Sequence, residues 1–151
     1  MSFQLKGKVL PACVVLASLA VTTPASATLG EDVASVALNH ANLGGALRVT
    51  TIGQGPGGER HELTLPSGVV VRQYVAAGVV YAIAWSGPRA PDLRELLGSR
   101  FSKLSLGHGH HVMSLQADDF RVEAMAHRGS FTGRAWVPSL VPAGVVVRGL
   151  P

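Results

Sequence analysis

Three of the chain's six histidines, His108, His110 and His111, fall within four positions of the stretch SLGHGHHVMSL. In an extended chain, side chains at i and i+2 share one face, so His108 and His110 could clasp one metal ion while His111 points the other way. Two imidazoles make a partial site, since zinc takes three or four protein ligands and copper recruits methionine sulfur. The nearest help is a mirrored pair, His111-Val112-Met113 and Met125-Ala126-His127, on segments that read as hairpin partners across Asp118-Asp119. A two-residue turn there pairs Ala117 with Phe120, Leu115 with Val122 and Met113 with Ala124, apolar against apolar. Met125 and His127 then occupy the face opposite Met113 and His111. The register that unites all four exposes half the core, at a cost on the order of several kcal/mol. The histidines are therefore expected to form a polar loop entering a strand, with adventitious nickel or copper binding favoured over a physiological metal site.

A second set of chemistry-bearing residues lies on strands. Arg72 alternates with Val70 and Tyr74, and Arg134 lies between Thr132 and Trp136. Arginine, tyrosine and tryptophan dominate binding hot spots, and a guanidinium grips carboxylates or phosphates through paired donors. Arg72, Tyr74, Arg134 and Trp136 are the candidate contacts for a partner; the plainer reading, which is preferred, leaves the arginines solvated at the sheet face with Tyr74 and Trp136 packed partly into the core. Catalytic signatures are missing: there is no G-x-S-x-G elbow, and GQGPGG lacks the Lys-Ser/Thr end of a phosphate loop. Asp118-Asp119 falls where the alternation breaks, as a turn would.

The elements that must position these residues begin after a leader. Lys6 and Lys8 precede a fifteen-residue apolar run over 9–23 and then Ala25-Ser26-Ala27. This is the pattern of a secretory signal peptide cleaved before Thr28. The run is shorter than the roughly 20 residues of a membrane-crossing helix, and no second long apolar run follows. The expected organisation is a leader over 1–27 and one exported domain over 28–151, periplasmic or secreted and not membrane-spanning after cleavage. Cys13 precedes most of the apolar run, which argues against lipid attachment, and it is the only cysteine. The mature chain must fold without disulfides and has no thiol chemistry. Without Lys6 and Lys8 the net charge of +4 falls to +2, and no basic run with interleaved aromatics supports nucleic-acid binding.

Along the mature chain, residues 31–42 read as a short helix stopped by Gly44-Gly45. Alternation then predicts strands over 47–52, 60–65, 69–75 and 79–86, joined by glycine-ended hairpin turns. In the fourth, Val79, Tyr81, Ile83 and Trp85 are expected on one face and Val80, Ala82 and Ala84 on the other. Both faces are apolar, so this strand should be central and covered on both sides. The alanines leave room on theirs for something bulky. Residues 92–106 read as the principal amphipathic helix. Its stripe is Leu93, Leu96, Leu97, Phe101 and Leu104, Asp92 and Glu95 form a capping-box pattern, and a close helix-to-sheet contact would account for Gly98. Strands over 111–117, 120–126 and 130–137 follow, then a tail bounded by Pro138 and Pro142. The expected fold is α+β: an antiparallel meander of about seven strands with one principal helix and a short N-terminal one.

The segments LPSGVVVRQYV, VYAIAWSGPRAPDLRELLG and GSFTGRAWVPSLVPAGV resemble, in that order, a family of small exported proteobacterial proteins known only as a domain of unknown function. The resemblance spans 29–145, implies a single exported domain, and brings no activity, cofactor or catalytic residue with it. The function expected from the sequence is a non-catalytic exported protein that binds another envelope component, protein or glycan. Periplasmic metal binding through His108, His110 and His111 is the alternative, and a hydrolase without a recognisable motif is the third reading.

Overall fold

The computed structural model describes residues 29–52, 58–104 and 112–150. Seven strands, β1 (Ala46–Thr51), β2 (Glu59–Thr64), β3 (Val70–Ala76), β4 (Val79–Gly87), β5 (Val112–Gln116), β6 (Arg121–His127) and β7 (Ser130–Trp136), form one antiparallel sheet. Their order is β1-β2-β3-β4-β7-β6-β5. The meander thus runs in two parts. After β4 the chain crosses to the far edge, and β5, β6 and β7 return toward the centre, where β7 pairs with β4. The crossing carries α2 (Leu93–Leu97) and a 3-10 turn over Gly98–Lys103, while α1 (Ala34–Leu43) precedes β1.

Two of the hairpins are tighter than the sequence suggested. Ala76 pairs with Val79 and His127 with Ser130, so each loop has only two residues, Ala77-Gly78 and Arg128-Gly129. All four have positive φ, at 50°, 78°, 46° and 77° in that order. Both central residues of a type I′ turn require this, because its twist matches that of the flanking strands.

The principal helix is interrupted at Gly98, whose φ of 54° ends the α-helix and starts the 3-10 turn. This replaces the close-packing explanation: the glycine supplies a backbone conformation that side chains disfavour. Asp92 caps α2 as expected, its Oδ1 accepting from the Arg94 and Glu95 amides at 2.9 and 3.2 Å. The Glu95 side chain instead accepts from Asn42 Nδ2 at 3.0 Å, tying α2 to α1. Arg100 donates to the Leu29 carbonyl and stands 3.5 Å from Asp119, and Lys103 bonds Asp119 at 2.9 Å. Those two cations anchor the helical crossing to the β5–β6 turn and to the segment preceding α1.

That segment completes the sheet. Gly30 N donates to Val80 O, Val80 N to Glu31 O and Val33 N to Gly78 O. It lies beside the start of β4, beyond the end of β7. Leu29 is wholly buried.

β4 is central and covered on both sides, but its faces are split differently from simple alternation. Tyr74 of β3 pairs with Ala82 and Val75 with Val80, leaving Tyr81 as the extra residue of a bulge. One apolar cluster joins Val80, Ile83 and Trp85 to Leu29, Val36, Leu96, Leu97, Phe120 and Val122, and this is the helix face. The other joins Tyr81 and Ala82 to Tyr74, with Trp136 and the tail residues Val141, Val145, Val147 and Leu150 packed on it. The bulge therefore moves Tyr81 away from Ile83 and Trp85. Beneath the Trp85 indole lies Gly133, where a Cβ would come within 2.3 Å of the ring.

Candidate functional site

Antiparallel partners share a face, so the registers place one residue from each strand in a row across the tail side of the sheet. That row reads Arg48, Glu62, Arg72, Ala84, Arg134, Glu123, Ser114. Charges alternate on both flanks, and Ala84 interrupts them at the centre. Arg72 Nε donates to Glu62 Oε2 at 2.8 Å, turning away from Ala84. On the other flank Arg134 Nε donates to Glu123 Oε2 at 2.9 Å and its Nη1 to the Arg148 carbonyl at 3.2 Å. Arg148 Nη2 closes the triangle on Glu123 Oε1 at 2.7 Å. The small residue thus leaves a notch between two arginine-glutamate pairs, and one of those pairs also holds the tail.

The notch widens into a groove of about 500 Å³, within the range of roughly 300–1,000 Å³ typical of small-molecule sites. Ala82 and Ala84 are its apolar base. Tyr74 lines it from β3, and Val147 and Leu150 enter from the tail. Arg134 and Glu123 supply charge, and Ser86, Thr132 and Ser114 supply hydroxyls. Among the described residues these three hydroxyls have no hydrogen-bond partner, while Met125, about half exposed at 53%, offers a thioether at the rim. A second hollow of about 260 Å³ shares Ser114 and Glu123 with the first and is lined by Arg121, Trp136 and Arg148.

Electrostatics fix the protonation states along this face. The Glu123 carboxyl is held below its ordinary 4.5, first by the Arg148 hydrogen bond; burial opposes this, and the Arg134 hydrogen bond and the two guanidinium charges add to the lowering. Burial pushes the Tyr74 phenol above its ordinary 10.0, with Arg72 and Arg60 partly opposing, and burial does the same to Tyr81. The tyrosine rings lie 6.3 Å apart, tilted by 43°. Both shifts favour the charged carboxylate and the neutral phenol.

The four arginine and aromatic candidates all come to this face. Arg134 and Tyr74 line the groove, Arg72 stands beside it on Glu62, and Trp136 is partly buried among the tail residues and lines the second hollow. Tyr74 is wholly buried, so it shapes the groove from beneath its wall and its side chain is not open to a ligand. Glu123 and Arg148 were not singled out from the sequence. Their signal was an acid opposite Arg134 in the β6–β7 register and a lone arginine in an apolar tail.

His108, His110 and His111 lie outside the described residues. The hairpin that bears on them has the expected register, Met113 opposite Ala124 and Leu115 opposite Val122, with Ala117 N bonded to Phe120 O. Met125 pairs with Val112, so the register does not bring it level with Met113. Among the described residues no three metal-ligating side chains gather, and no helix is long and apolar enough to cross a membrane.

A family model described as a protein of unknown function, DUF2844, matches residues 25–150. No curated protein and no solved structure matches this chain.

Proposed function

This chain belongs to the DUF2844 family, and we propose that it is a non-catalytic exported module that binds another envelope component in the groove on the tail face of its sheet. The observation that carries the reading is the 500 Å³ groove with an alanine base and a charged wall of Arg134 and Glu123. A concave, mostly apolar surface with a few placed polar groups is the usual form of a binding site. The fixed charge on Glu123 and the raised phenol of Tyr74 favour recognition over proton transfer. Export rests on the leader, where Lys6 and Lys8 precede the apolar run and Ala25-Ser26-Ala27.

The test is cross-linking and pull-down from cells expressing the protein with its own leader, followed by mass spectrometry of co-purified proteins and glycans. A dominant partner should be recovered with the wild type and lost with Ala84→Leu, which fills the base of the groove, and with Arg134→Ala. A partner retained by both variants, each shown to be folded, places binding elsewhere and overturns the reading.

A further inference from the structure

The groove's lining also specifies the chemistry of what it takes, an inference that rests on its being a binding site. Its base and its tail side are apolar, from Ala82 and Ala84 to Val147 and Leu150. At the wall between the groove and the second hollow two guanidiniums, Arg134 lining the groove and Arg148 lining the hollow, converge on the single carboxylate of Glu123, which lines both. That wall carries one more positive charge than negative, and the surplus is on the accessible partner, since the Arg148 side chain is 74% exposed. Glu123 is the only acid lining either hollow among the described residues. Next to this wall, the hydroxyls of Ser86, Ser114 and Thr132 have no partner among the described residues and are free to bond a head group.

We propose that the groove binds an amphiphile with an apolar body and a single anionic head group. The body lies on Ala82 and Ala84 against Val147 and Leu150. The head is placed at the Arg134–Glu123–Arg148 triangle, where Arg148 can turn to it without leaving Glu123 unpaired, because Arg134 remains. A neutral body with a cationic head is disfavoured, since it would meet Arg148 before Glu123.

The experiment is calorimetric titration of the protein, as purified from the cell, with four probes below their aggregation concentrations: palmitate, hexadecyl phosphate, hexadecanol and inorganic phosphate. The two anionic chains should each bind once per protein and about tenfold or more tighter than hexadecanol, with inorganic phosphate alone not saturating. Ala84→Leu should weaken both chains by a similar factor, and Arg148→Gln, a change at an exposed side chain, should remove the preference for the charged head. Equal affinity for palmitate and hexadecanol overturns the head-group assignment, and saturation by inorganic phosphate alone reduces the site to an anion site. Undiminished binding to Ala84→Leu places the chain outside the groove. If no chain binds while the pull-down still recovers a partner lost on Ala84→Leu, the ligand class falls and the binding role stands. If neither binds, both fall.

Discussion

At the scale of single residues, the backbone is under most demand where non-glycine residues hold positive φ. Ala77 and Arg128 do so in the two I′ turns, and a left-handed conformation costs an L-residue about 1–2 kcal/mol. Ala77→Gly should therefore raise unfolding stability by about 1 kcal/mol in urea, net of the greater freedom of glycine in the unfolded chain. The reverse demand falls on Gly133, which supports the Trp85 indole with no room for a Cβ. Gly133→Ala should lower stability by about 1–3 kcal/mol through displacement of the ring, read as a lower urea midpoint with changed tryptophan emission. The first position is legible as a turn but its length is not, because Ala76-Ala77-Gly78 and His127-Arg128-Gly129 look like three-residue loops until the pairing of Ala76 and His127 is known. The Gly133 contact joins residues almost fifty positions apart and leaves no local signal.

At the scale of elements, the tail is held to the sheet by the Glu123 triangle. Because the Glu123 pKa is depressed on folding, its stabilising contribution is fully present above the ordinary value of 4.5 and is lost as pH falls through the lower folded value. The Asp119 carboxyl, lowered first by its Lys103 hydrogen bond and further by Lys103 and Arg100 charge, acts in the same direction on the helical crossing. Acidification below about pH 4.5 should thus lower Tm, and Glu123→Gln should show a smaller decline over that window from a lower starting Tm. Hydrogen exchange of the Val145 and Gly149 amides, which bond Pro142 O and Val146 O, should quicken in Glu123→Gln at neutral pH while β3 and β4 stay protected. The seven strands and the β5–β6 register were legible, since period-two alternation and a polar turn at Asp118-Asp119 leave one pairing that buries the apolar residues. The split of the 92–106 helix was not, because the apolar stripe continues through Gly98 and only backbone φ reveals the break.

At the scale of the whole molecule, one sheet carries two apolar clusters, one under the helices and one under the tail. The sequence indicated that β4 must be covered on both faces without indicating what covers the alanine side. Val141, Val145, Val147 and Leu150 follow prolines at irregular spacing, so no periodicity announces them as a layer. The Tyr81 bulge was equally silent, as it arises from pairing with Tyr74 rather than from any change in the strand's own pattern. Removing the chain from Val141 onward should uncover Tyr74 and Tyr81, the only tyrosines present. Their raised pKa values should then fall toward 10.0 in an alkaline absorbance titration, while in the intact protein the stability due to their burial persists below that value and is lost as pH rises beyond it. The central claim is that this tail-covered face is where the protein meets its partner, and site-specific photo-cross-linking in the cell tests it most directly. A photoreactive residue at Ser86, in the groove, should capture a defined envelope component, while one at Leu38, exposed on α1 over the opposite face of the sheet, should not. Capture from Leu38 and none from Ser86 would contradict the account.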